Sequence, residues 1–374
     1  MPIEIKEVTS RRELRQFIDF PYRLYRKDPR WIPPLIRGEK ESLDPKKNPS
    51  FDHCETFLLL ALKGGKVVGR IAGIINHRYN EQWNKRVARF SWFDLEDDRE
   101  VSRGLFDALE QWARQHGMEE MVGPMGFTTF DHEGLLIKGF DEIPTFAGGY
   151  NYPYYQTHLE ALGFQKEIEY VEYELTVPSV IPEKVITISR IVTERYGLRV
   201  LEYRSTKDLL PYAEQIFQVI NAAYRPLFGF TELTDKQIRY FVKKYFSVVR
   251  PEYTTVVVDK NDQVLGFQIS MPSLSRAFQK ANGRLFPLGW YYMTRAIRNP
   301  ERLDLLLTGI LPEYQNKGVN ALFMYHLTRA AIAHGIKYAE SNNELEDNVK
   351  IQSLWKPYDR RQHRRSRIYS KHLE

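Results

Sequence analysis

The segment that most constrains the fold of this chain is 304–335, DLLLTGILPEYQNKGVNALFMYHLTRAAIAHG. Its apolar start, 305–311, predicts a strand, and Pro312 ends that strand. A polar loop at 315–318 with one glycine then leads into an apolar-periodic helix. Because the free N–H groups of a helix's first turn attract negative charge, this order of elements predicts a cradle for a phosphate or pyrophosphate. The alternative is an ordinary strand–loop–helix connection with a chance glycine.

The length and composition suit a globular chain of two domains. The chain has 374 residues, 43% of them hydrophobic, and its alternating strand and helix patterns predict an α/β or α+β class. No stretch approaches the ~20 apolar residues of a membrane span, and the N-terminus lacks the basic-then-apolar pattern of a signal peptide. A single cysteine, Cys54, excludes an internal disulfide and a cysteine-based metal cluster. We therefore expect a cytoplasmic protein without a bound metal.

Charge is distributed unevenly along the chain. Residues 1–180 carry 24 basic and 29 acidic side chains, whereas residues 181–374 carry 30 basic and 19 acidic side chains. The net charge is therefore −5 in the first half and +11 in the second. The basic half contains the predicted cradle, which suits a polyanionic ligand. The alternative is that a surplus of this size is ordinary surface charge.

Both halves show the same order of predicted elements. Each has a strand, helices, a hairpin, a strand, a helix, a strand, a helix and a strand, with the hairpins at 56–76 and 253–271. Prolines and a polar stretch at 178–190 mark a boundary. Because the halves share no close sequence repeat, we predict an architectural duplication with domains at 1–180 and 181–374.

The loop of the opening segment resembles the acyl-CoA loop of the GCN5-related N-acetyltransferase family. That loop runs apolar-x-Pro-x-x-Arg/Gln-x-x-Gly-x-Gly/Ala, and residues 310–320 read ILPEYQNKGVN. Gln315 stands at the Arg/Gln position and Gly318 at the first glycine, whereas Asn320 replaces the second glycine or alanine. Asparagine tolerates a left-handed backbone and also caps helices, so we expect either role to preserve the loop.

The first half is similar to the same family at a later motif. Residues 151–164, NYPYYQTHLEALGF, resemble the family's helix-to-strand motif Asn…Leu-Tyr-x-x-Leu-Gly-Phe. Where a glycine loop would fall, the run 97–100, DDRE, is acidic and would repel a pyrophosphate. The chain thus resembles a tandem, acetyltransferase-like bacterial protein. The resemblance implies two tandem acyl-CoA N-acyltransferase-like domains, each a mixed, mostly antiparallel sheet flanked by helices, with a cofactor site only in the second.

The resemblance also implies where the co-substrate, acetyl-CoA or another acyl-CoA, would bind. The pyrophosphate would lie on the backbone N–H groups of 315–320, Lys317 would add positive charge, and the pantetheine arm would pair with the backbone near Ile310 and Leu311. The predicted cofactor-binding residues are Ile310, Leu311, Gln315, Asn316, Lys317, Gly318, Val319 and Asn320.

Amine acylation needs a base for the attacking nitrogen and an acid for the departing thiolate. The family often supplies the acid with a tyrosine, but the corresponding positions here are Trp355 and, in the first half, Leu159. Tyr358 is the nearest substitute, and its alternative role is core packing. Glu340, on the strand after the cradle helix, is the predicted base, and the alternative is a surface carboxylate at a strand end.

The loop 130–134, FDHEG, places three titratable side chains in a row. We predict that Asp131, His132 and Glu133 face a substrate, together with Tyr155 from the tyrosine-rich segment that follows. Adjacent loop residues rarely converge on one metal, so no metal site is predicted. The alternatives are a structural turn for the loop and core packing for the tyrosine.

Two further segments are basic. The tail, 356–374, has seven basic and two acidic residues, which makes nucleic-acid binding the main competing class. No stacking or helix-turn-helix signature accompanies it, so nucleic acid is not the expected partner. The alternation of Arg365, Arg367 and Tyr369 fits an edge strand better, or a contact with the CoA 3′-phosphate. The segment 274–297 is both apolar and basic.

Taken together, these features predict an acyl-CoA-dependent N-acyltransferase, most simply an acetyltransferase. The co-substrate would bind in the second half, and a small-molecule or peptide amine would enter near the cleft between the halves. The alternative is a catalytically degenerate tandem fold that acts as a binding or scaffold protein. The replaced tyrosine and Asn320 favour this alternative, whereas the Pro–Gln–Gly loop and the basic half favour the enzyme.

Overall fold

A computed structural model describes residues 1–245 and 249–374. The sequence also predicts a helix at about 234–248, and the last three residues of that prediction lie outside the described residues. The strands are β1 (Ile3–Glu7), β2 (Cys54–Lys63), β3 (Lys66–Asn76), β4 (Val87–Leu95), β5 (Glu120–Gly123), β6 (Leu135–Lys138), β7 (Gln165–Thr176), β8 (Arg199–Val200), β9 (Thr254–Val258), β10 (Val264–Pro272), β11 (Arg302–Ile310), β12 (Tyr338–Ser341), β13 (Glu344–Leu345) and β14 (Arg360–His372). The helices are α1 (Arg11–Leu24), α2 (Ile36–Ser42), α3 (His77–Trp83), α4 (Arg99–Gln115), α5 (Tyr154–Ala161), α6 (Glu183–Tyr196), α7 (Thr206–Leu209), α8 (Ala213–Tyr224), α9 (Asp235–Tyr245), α10 (Ser275–Ala281), α11 (Gly289–Arg298), α12 (Asn320–Ala333) and α13 (Val349–Gln352).

The chain divides into two compact units that are interleaved along the sequence. The first unit contains residues 1–171, 275–293 and 363–374, and the second contains 172–274 and 294–362. These units are defined by packing, whereas the domains 1–180 and 181–374 were predicted as products of a duplication. That division of the sequence stays a prediction.

The first unit is built on a mostly antiparallel sheet. Strands β1, β2, β3 and β4 pair antiparallel in sequence order, and β4 pairs parallel with β5 across the crossover helix α4. On its other side β5 pairs with the C-terminal strand, where Tyr369 lies opposite Gly123 and His372 opposite Glu120. The last residues of the sequence therefore complete the sheet of the first unit.

The second unit repeats this plan. Strands β8, β9, β10 and β11 pair antiparallel, and β11 pairs parallel with β12 across the crossover helix α12. The far side of β12 pairs with the end of β7, where Glu174 lies opposite Glu340. The predicted fold class, mixed and mostly antiparallel sheets flanked by helices, is confirmed.

Close helix–sheet packing in the first unit depends on glycines in β3. The apolar stripe of α4 lies over this strand, with Val101 and Leu109 fully buried. A Cβ atom added to Gly73 would lie 2.3 Å from Leu109 Cδ1, and one added to Gly69 would lie 2.7 Å from Val101 Cγ1. Glycine at both positions therefore lets the helix approach the sheet at contact distance.

Candidate functional site

The second unit has a strand edge that pairs with no neighbouring strand of the described chain. Strand β12 pairs with β11 only as far as Leu305, which lies opposite Ser341. A register shift against β10 sets in at the next residue, Leu306, and such a bulge bends a strand away from its neighbour. Beyond it, the carbonyl of Thr308 accepts a hydrogen bond from the Tyr224 hydroxyl at 2.9 Å. The edge 306–310 thus has no strand partner on the β12 side among the described residues, and the Tyr224 hydroxyl occupies one of its carbonyls.

The loop that follows this edge ends in a helix N-terminus with unused donors. Helix α12 begins at Asn320, and its cap residue, Val319, offers no side-chain hydrogen bond. The backbone N–H groups of Asn316, Gly318, Val319 and Asn320 donate to no acceptor among the described residues. Four such donors at the positive end of a helix dipole suit an anionic group.

Two residues of the loop adopt left-handed backbone conformations. Asn316 has φ +61° and Gly318 has φ +81°. Asn320 takes neither role expected of it, because it is the first helical residue rather than a left-handed or capping residue. A Cβ atom on Gly318 would lie 2.9 Å from Val192 Cγ2 on α6, so the glycine is also required by the packing of α6 against α12.

Three other predicted cofactor residues, Lys317, Gln315 and Leu311, contact neighbouring residues of the second unit. Lys317 Nζ lies 4.7 Å from the ring centroid of Tyr314 and 5.5 Å from that of Tyr196, so two aromatic faces hold the cation at the loop. Gln315 Nε2 donates to the carbonyl of Ile310 at 3.3 Å. The Leu311 N–H donates to the carbonyl of Leu265 at 2.9 Å, and this amide is therefore not available to a ligand.

The equivalent helix N-terminus in the first unit is occupied by a carboxylate. Asp98 caps α4, since its Oδ1 accepts the Glu100 N–H at 2.9 Å and its Oδ2 accepts Lys63 Nζ at 2.7 Å. The hydrogen bond from Lys63 lowers the pKa of Asp98, although burial opposes this effect. A negative side chain thus fills the place that a phosphate would need.

A row of carboxylates crosses three strands of the second unit. Asp304 on β11 lies opposite Glu340 on β12, which lies opposite Glu174 on β7. Residues directly opposite one another in neighbouring strands point to the same face of a sheet. Arg302 donates hydrogen bonds to both Glu174 and Glu340, and Arg361 adds another to Glu174 at 2.7 Å.

Two carboxyl groups of this region have pKa values near neutrality. Glu340 is 5% exposed, and burial raises its pKa to about 8 while Arg302 opposes the shift. Glu344 is similarly buried, and burial raises its pKa to about 7 against a hydrogen bond from Trp355. Groups of this kind exchange protons readily at physiological pH. Glu344 is not among the residues predicted from the sequence, because nothing in its local pattern distinguishes it from a surface residue.

Trp355, which stands at the family's tyrosine position, and Tyr358, the predicted substitute acid, are both engaged inside the second unit. Trp355 Nε1 donates to Glu344 Oε1 at 2.7 Å. The Tyr358 hydroxyl lies 3.0 Å from Thr328 Oγ1 on α12, and Tyr358 packs in the same buried cluster as Trp355. The structure therefore places Tyr358 in the core, and its catalytic role stays a prediction.

The predicted substrate loop of the first unit contains one buried carboxyl group. Asp131 Oδ2 accepts the Thr128 N–H at 2.9 Å and so closes a local turn, while the exposed His132 has Nδ1 2.9 Å from the Ala147 carbonyl. Glu133 is buried, and its pKa is raised to about 7 by burial. The three side chains thus have separate partners.

The fourth predicted substrate residue, Tyr155, is fully buried. Its hydroxyl lies 2.7 Å from the Tyr25 hydroxyl and accepts the Leu95 N–H at 3.0 Å. Tyr25 in turn donates to Asp94 at 2.8 Å. This network differs from that of Glu133, which accepts a hydrogen bond from Tyr170.

Much of the positive charge of the C-terminal tail is paired internally. In the first unit Glu169 accepts hydrogen bonds from both Arg365 and Arg367, and Lys371 pairs with Glu110. Pairing of this kind removes charge that a nucleic acid would need.

The described residues contain no group of three or more His, Cys, Asp or Glu residues arranged to hold a metal ion. Nor does any helix in the described ranges have the length and apolarity to cross a membrane.

The fold is that of the tandem GCN5-related N-acetyltransferases. The tandem protein from the clavulanic acid biosynthesis pathway matches with a TM-score of 0.57 and 12% identity, over 100% of this chain and 99% of that chain. A protein of Enterococcus faecalis V583, described as a probable N-acyltransferase, matches with a TM-score of 0.53 and 9% identity, over 100% of this chain and 73% of that chain. The family resemblance noted in the sequence is thus confirmed at the level of fold.

Two further proteins are similar in sequence to this chain along nearly its whole length. Protein YghO of Escherichia coli (strain K12) is 27% identical over 380 residues, which cover 99% of this chain and 95% of that protein. The bacterial ceramide synthase of Caulobacter vibrioides (strain NA1000 / CB15N) is 27% identical over 381 residues, which cover 99% and 98%. No protein-family model matches the sequence.

Proposed function

We propose that this protein transfers an acyl group from an acyl-CoA to an amine, with the acyl-CoA bound by the second unit. The observation that carries this proposal is the unpaired edge 306–310, which leads directly into a loop with four unused backbone donors. An edge of this kind can pair with an amide-containing arm, and the donors can hold a pyrophosphate. The first unit offers no such place, because Asp98 occupies the equivalent helix N-terminus.

The second unit offers separate binding groups for the pyrophosphate and for the pantetheine arm of an acyl-CoA. The amides of Asn316, Gly318, Val319 and Asn320 would hold the pyrophosphate, with Lys317 adding positive charge nearby. The edge of β11 beside the bulge would hold the pantetheine arm. When bound, an acyl-CoA supplies an activated acyl thioester, and the chain supplies binding, orientation and proton transfer.

Glu340 and Glu344 are the proposed proton acceptors for the amine. An amine attacks only when it is deprotonated, and a carboxylate with a pKa of about 7 or 8 can accept its proton near neutral pH. The negative charge of Glu172 raises the pKa of both carboxyl groups, so the three residues form one electrostatic cluster. We assign the role to this cluster rather than to one member, because coupled carboxyl groups titrate together.

The names of similar proteins agree with amide formation. One is called a ceramide synthase, and a ceramide contains an amide between an acyl group and a long-chain amine. Another is called a probable N-acyltransferase. At 27% and 9% identity these names support the reaction class, and the acceptor amine of this chain is left open. A small molecule or peptide amine, entering near the cleft between the halves, is the acceptor that the sequence predicts.

Calorimetric titration with acetyl-CoA tests the proposal. The variant Lys317→Glu reverses a charge at the loop and should weaken binding about 5- to 30-fold, which corresponds to about 1–2 kcal/mol for charges several ångströms apart near a surface. Lys260→Glu makes the same charge change at an exposed turn of the same unit and should bind like the natural protein. Equal weakening in both variants, or no binding at millimolar acetyl-CoA, would sink the proposal.

A degenerate binding protein is the second candidate, and the engagement of Trp355 and Tyr358 by Glu344 and Thr328 favours it. The two candidates differ in turnover. An acyltransferase releases free CoA thiol when acyl-CoA and a panel of amines are supplied, and Glu340→Gln lowers that release. Tight acetyl-CoA binding without thiol release for any amine in the panel would favour the degenerate protein.

A further inference from the structure

A short stretch between β10 and β11 exposes an unusual density of large apolar side chains. Phe286 is 78% exposed, Leu288 56%, Trp290 50% and Tyr291 45%. These four residues, here called the aromatic tip, lie within six successive positions. No other six-residue stretch of the described chain contains more than two exposed large hydrophobic side chains. Single exposed apolar residues are common, but a cluster of this kind indicates an interaction surface.

The segment that carries the aromatic tip is anchored to the first unit. On α10, Ser275 Oγ donates to the Pro144 carbonyl at 2.8 Å, and Gln279 Nε2 donates to the Pro29 carbonyl at 2.6 Å. Both anchors precede the tip in the sequence. The tip, which lies at the start of α11 and in the loop before it, therefore follows a helix held by two side-chain hydrogen bonds, which suits a surface that binds without refolding.

Positive charge flanks the tip along the sequence, and negative charge is missing from its segment. From 273 to 300 the sequence has five basic residues and no acidic residue. A surface of this composition is complementary to an anionic partner. The five basic residues are Arg276, Lys280, Arg284, Arg295 and Arg298.

The basic residues of α11 share a helix face with one of the exposed rings. Tyr291, Arg295 and Arg298 are all exposed and stand at positions i, i+4 and i+7, which lie on one side of a helix. The ring is near the N-terminus of α11, and the two guanidinium groups follow one and two turns later. An arginine can bury its aliphatic stem along an apolar boundary while its charged end stays in water.

We propose that the aromatic tip and its flanking arginines bind the surface of an anionic phospholipid bilayer. Tryptophan and tyrosine are enriched at the boundary between headgroups and acyl chains, where one side of the ring is apolar and the other is wet. Phe286 and Leu288 would enter the acyl region, and the arginines would meet lipid phosphates. The tip shares no residue with the acyl-CoA loop, and the inference does not depend on the proposed reaction.

Sedimentation of the full-length protein with lipid vesicles tests the inference. The protein should bind vesicles that contain phosphatidylglycerol and bind vesicles of pure phosphatidylcholine far less. Each basic residue near an anionic surface strengthens partitioning about fivefold. Replacing Arg284, Arg295 and Arg298 together by glutamine should therefore weaken binding on the order of a hundredfold. The double variant Phe286→Ser, Leu288→Ser should weaken binding to both lipid mixtures.

The fluorescence of Trp290 reports whether the tip itself meets the bilayer. Emission should shift to shorter wavelength when phosphatidylglycerol vesicles are added, and brominated lipid should quench it. The variant Trp290→Phe should lose that quenching while it keeps most of its vesicle binding. Quenching that is unchanged in Trp290→Phe would overturn the inference, because another tryptophan would then be the one in contact with lipid.

A matched control separates the tip from exposed apolar residues in general. Val180 and Val349 are 72% and 65% exposed, and the double variant Val180→Ser, Val349→Ser should bind vesicles like the natural protein. Equal loss in the control overturns the inference. A second result would also overturn the inference: the natural protein is a dimer in light scattering and binds no vesicles, and the Phe286→Ser, Leu288→Ser variant is a monomer. The tip would then join two copies of the chain. Unchanged circular dichroism of each variant verifies that it is folded.

Discussion

The buried carboxyl group of Glu340 should make the stability of the protein depend on pH in a defined direction. Burial raises its pKa from 4.5 to about 8. A carboxyl group whose pKa is higher in the folded than in the unfolded state binds a proton more tightly in the folded state. Its contribution to stability is therefore complete below pH 4.5 and is lost as the pH rises toward 8.

The magnitude follows from the size of this shift. One pKa unit corresponds to about 1.4 kcal/mol, and between pH 6 and pH 9 the linkage relation gives a loss of about 2–3 kcal/mol in the free energy of unfolding. The variant Glu340→Gln should not show this loss, because glutamine keeps an oxygen acceptor for Arg302 but does not titrate. The natural protein and the variant should thus diverge as the pH is raised.

Urea denaturation at pH 6, 7.5 and 9 measures the effect. The difference in unfolding free energy between Glu340→Gln and the natural protein should shift by about 2–3 kcal/mol in favour of the variant between the two extremes. Glu202→Gln, at an exposed position of the same unit, should follow the natural protein at every pH. Parallel pH profiles for the natural protein and Glu340→Gln would refute a raised pKa at this position.

Two further predictions concern the packing of the first unit. Asp98→Ala removes the cap of α4 and should lower the free energy of unfolding by about 1 kcal/mol. Asp107→Ala, on the exposed face of the same helix, should change it by less than about 0.5 kcal/mol. Equal effects of the two variants in urea denaturation would contradict the capping role. Gly73→Ala should lower the free energy of unfolding by about 1–3 kcal/mol, because the added Cβ atom meets Leu109. Gly38→Ala should leave it unchanged or raise it, because the added Cβ atom in α2 meets open space. Thermal unfolding of the two variants measures the difference.

Local patterns predicted much of the fold. The hairpin of β2 and β3 followed from two apolar runs around a Gly-Gly turn, and both glycines have positive φ, +58° and +76°. In the same way, apolar residues at helical spacing over 100–116 and a glycine at 117 predict helix α4. What local patterns could not predict is the pairing of strands over long distance. The C-terminal strand pairs with β5, from which it is separated by more than two hundred residues, and no periodicity encodes that choice.

The candidate site was predictable to the extent that it depends on local geometry. The strand, loop and helix at 304–335 are present, and the left-handed Gly318 lies where the motif requires a glycine. The role of Asn320 was mispredicted because the helix begins one residue earlier than a capping asparagine would allow. Glu344 was missed because its raised pKa arises from burial, which only the folded structure reveals.

We propose that the loop of the second unit holds the pyrophosphate of an acyl-CoA. A crystal structure of the protein grown with a non-hydrolysable acetyl-CoA analogue would show this contact. Pyrophosphate oxygens should lie within hydrogen-bond distance of the backbone N–H groups of Gly318, Val319 and Asn320. Density for the pyrophosphate elsewhere, for example at the start of α4 with Asp98 displaced, would contradict it.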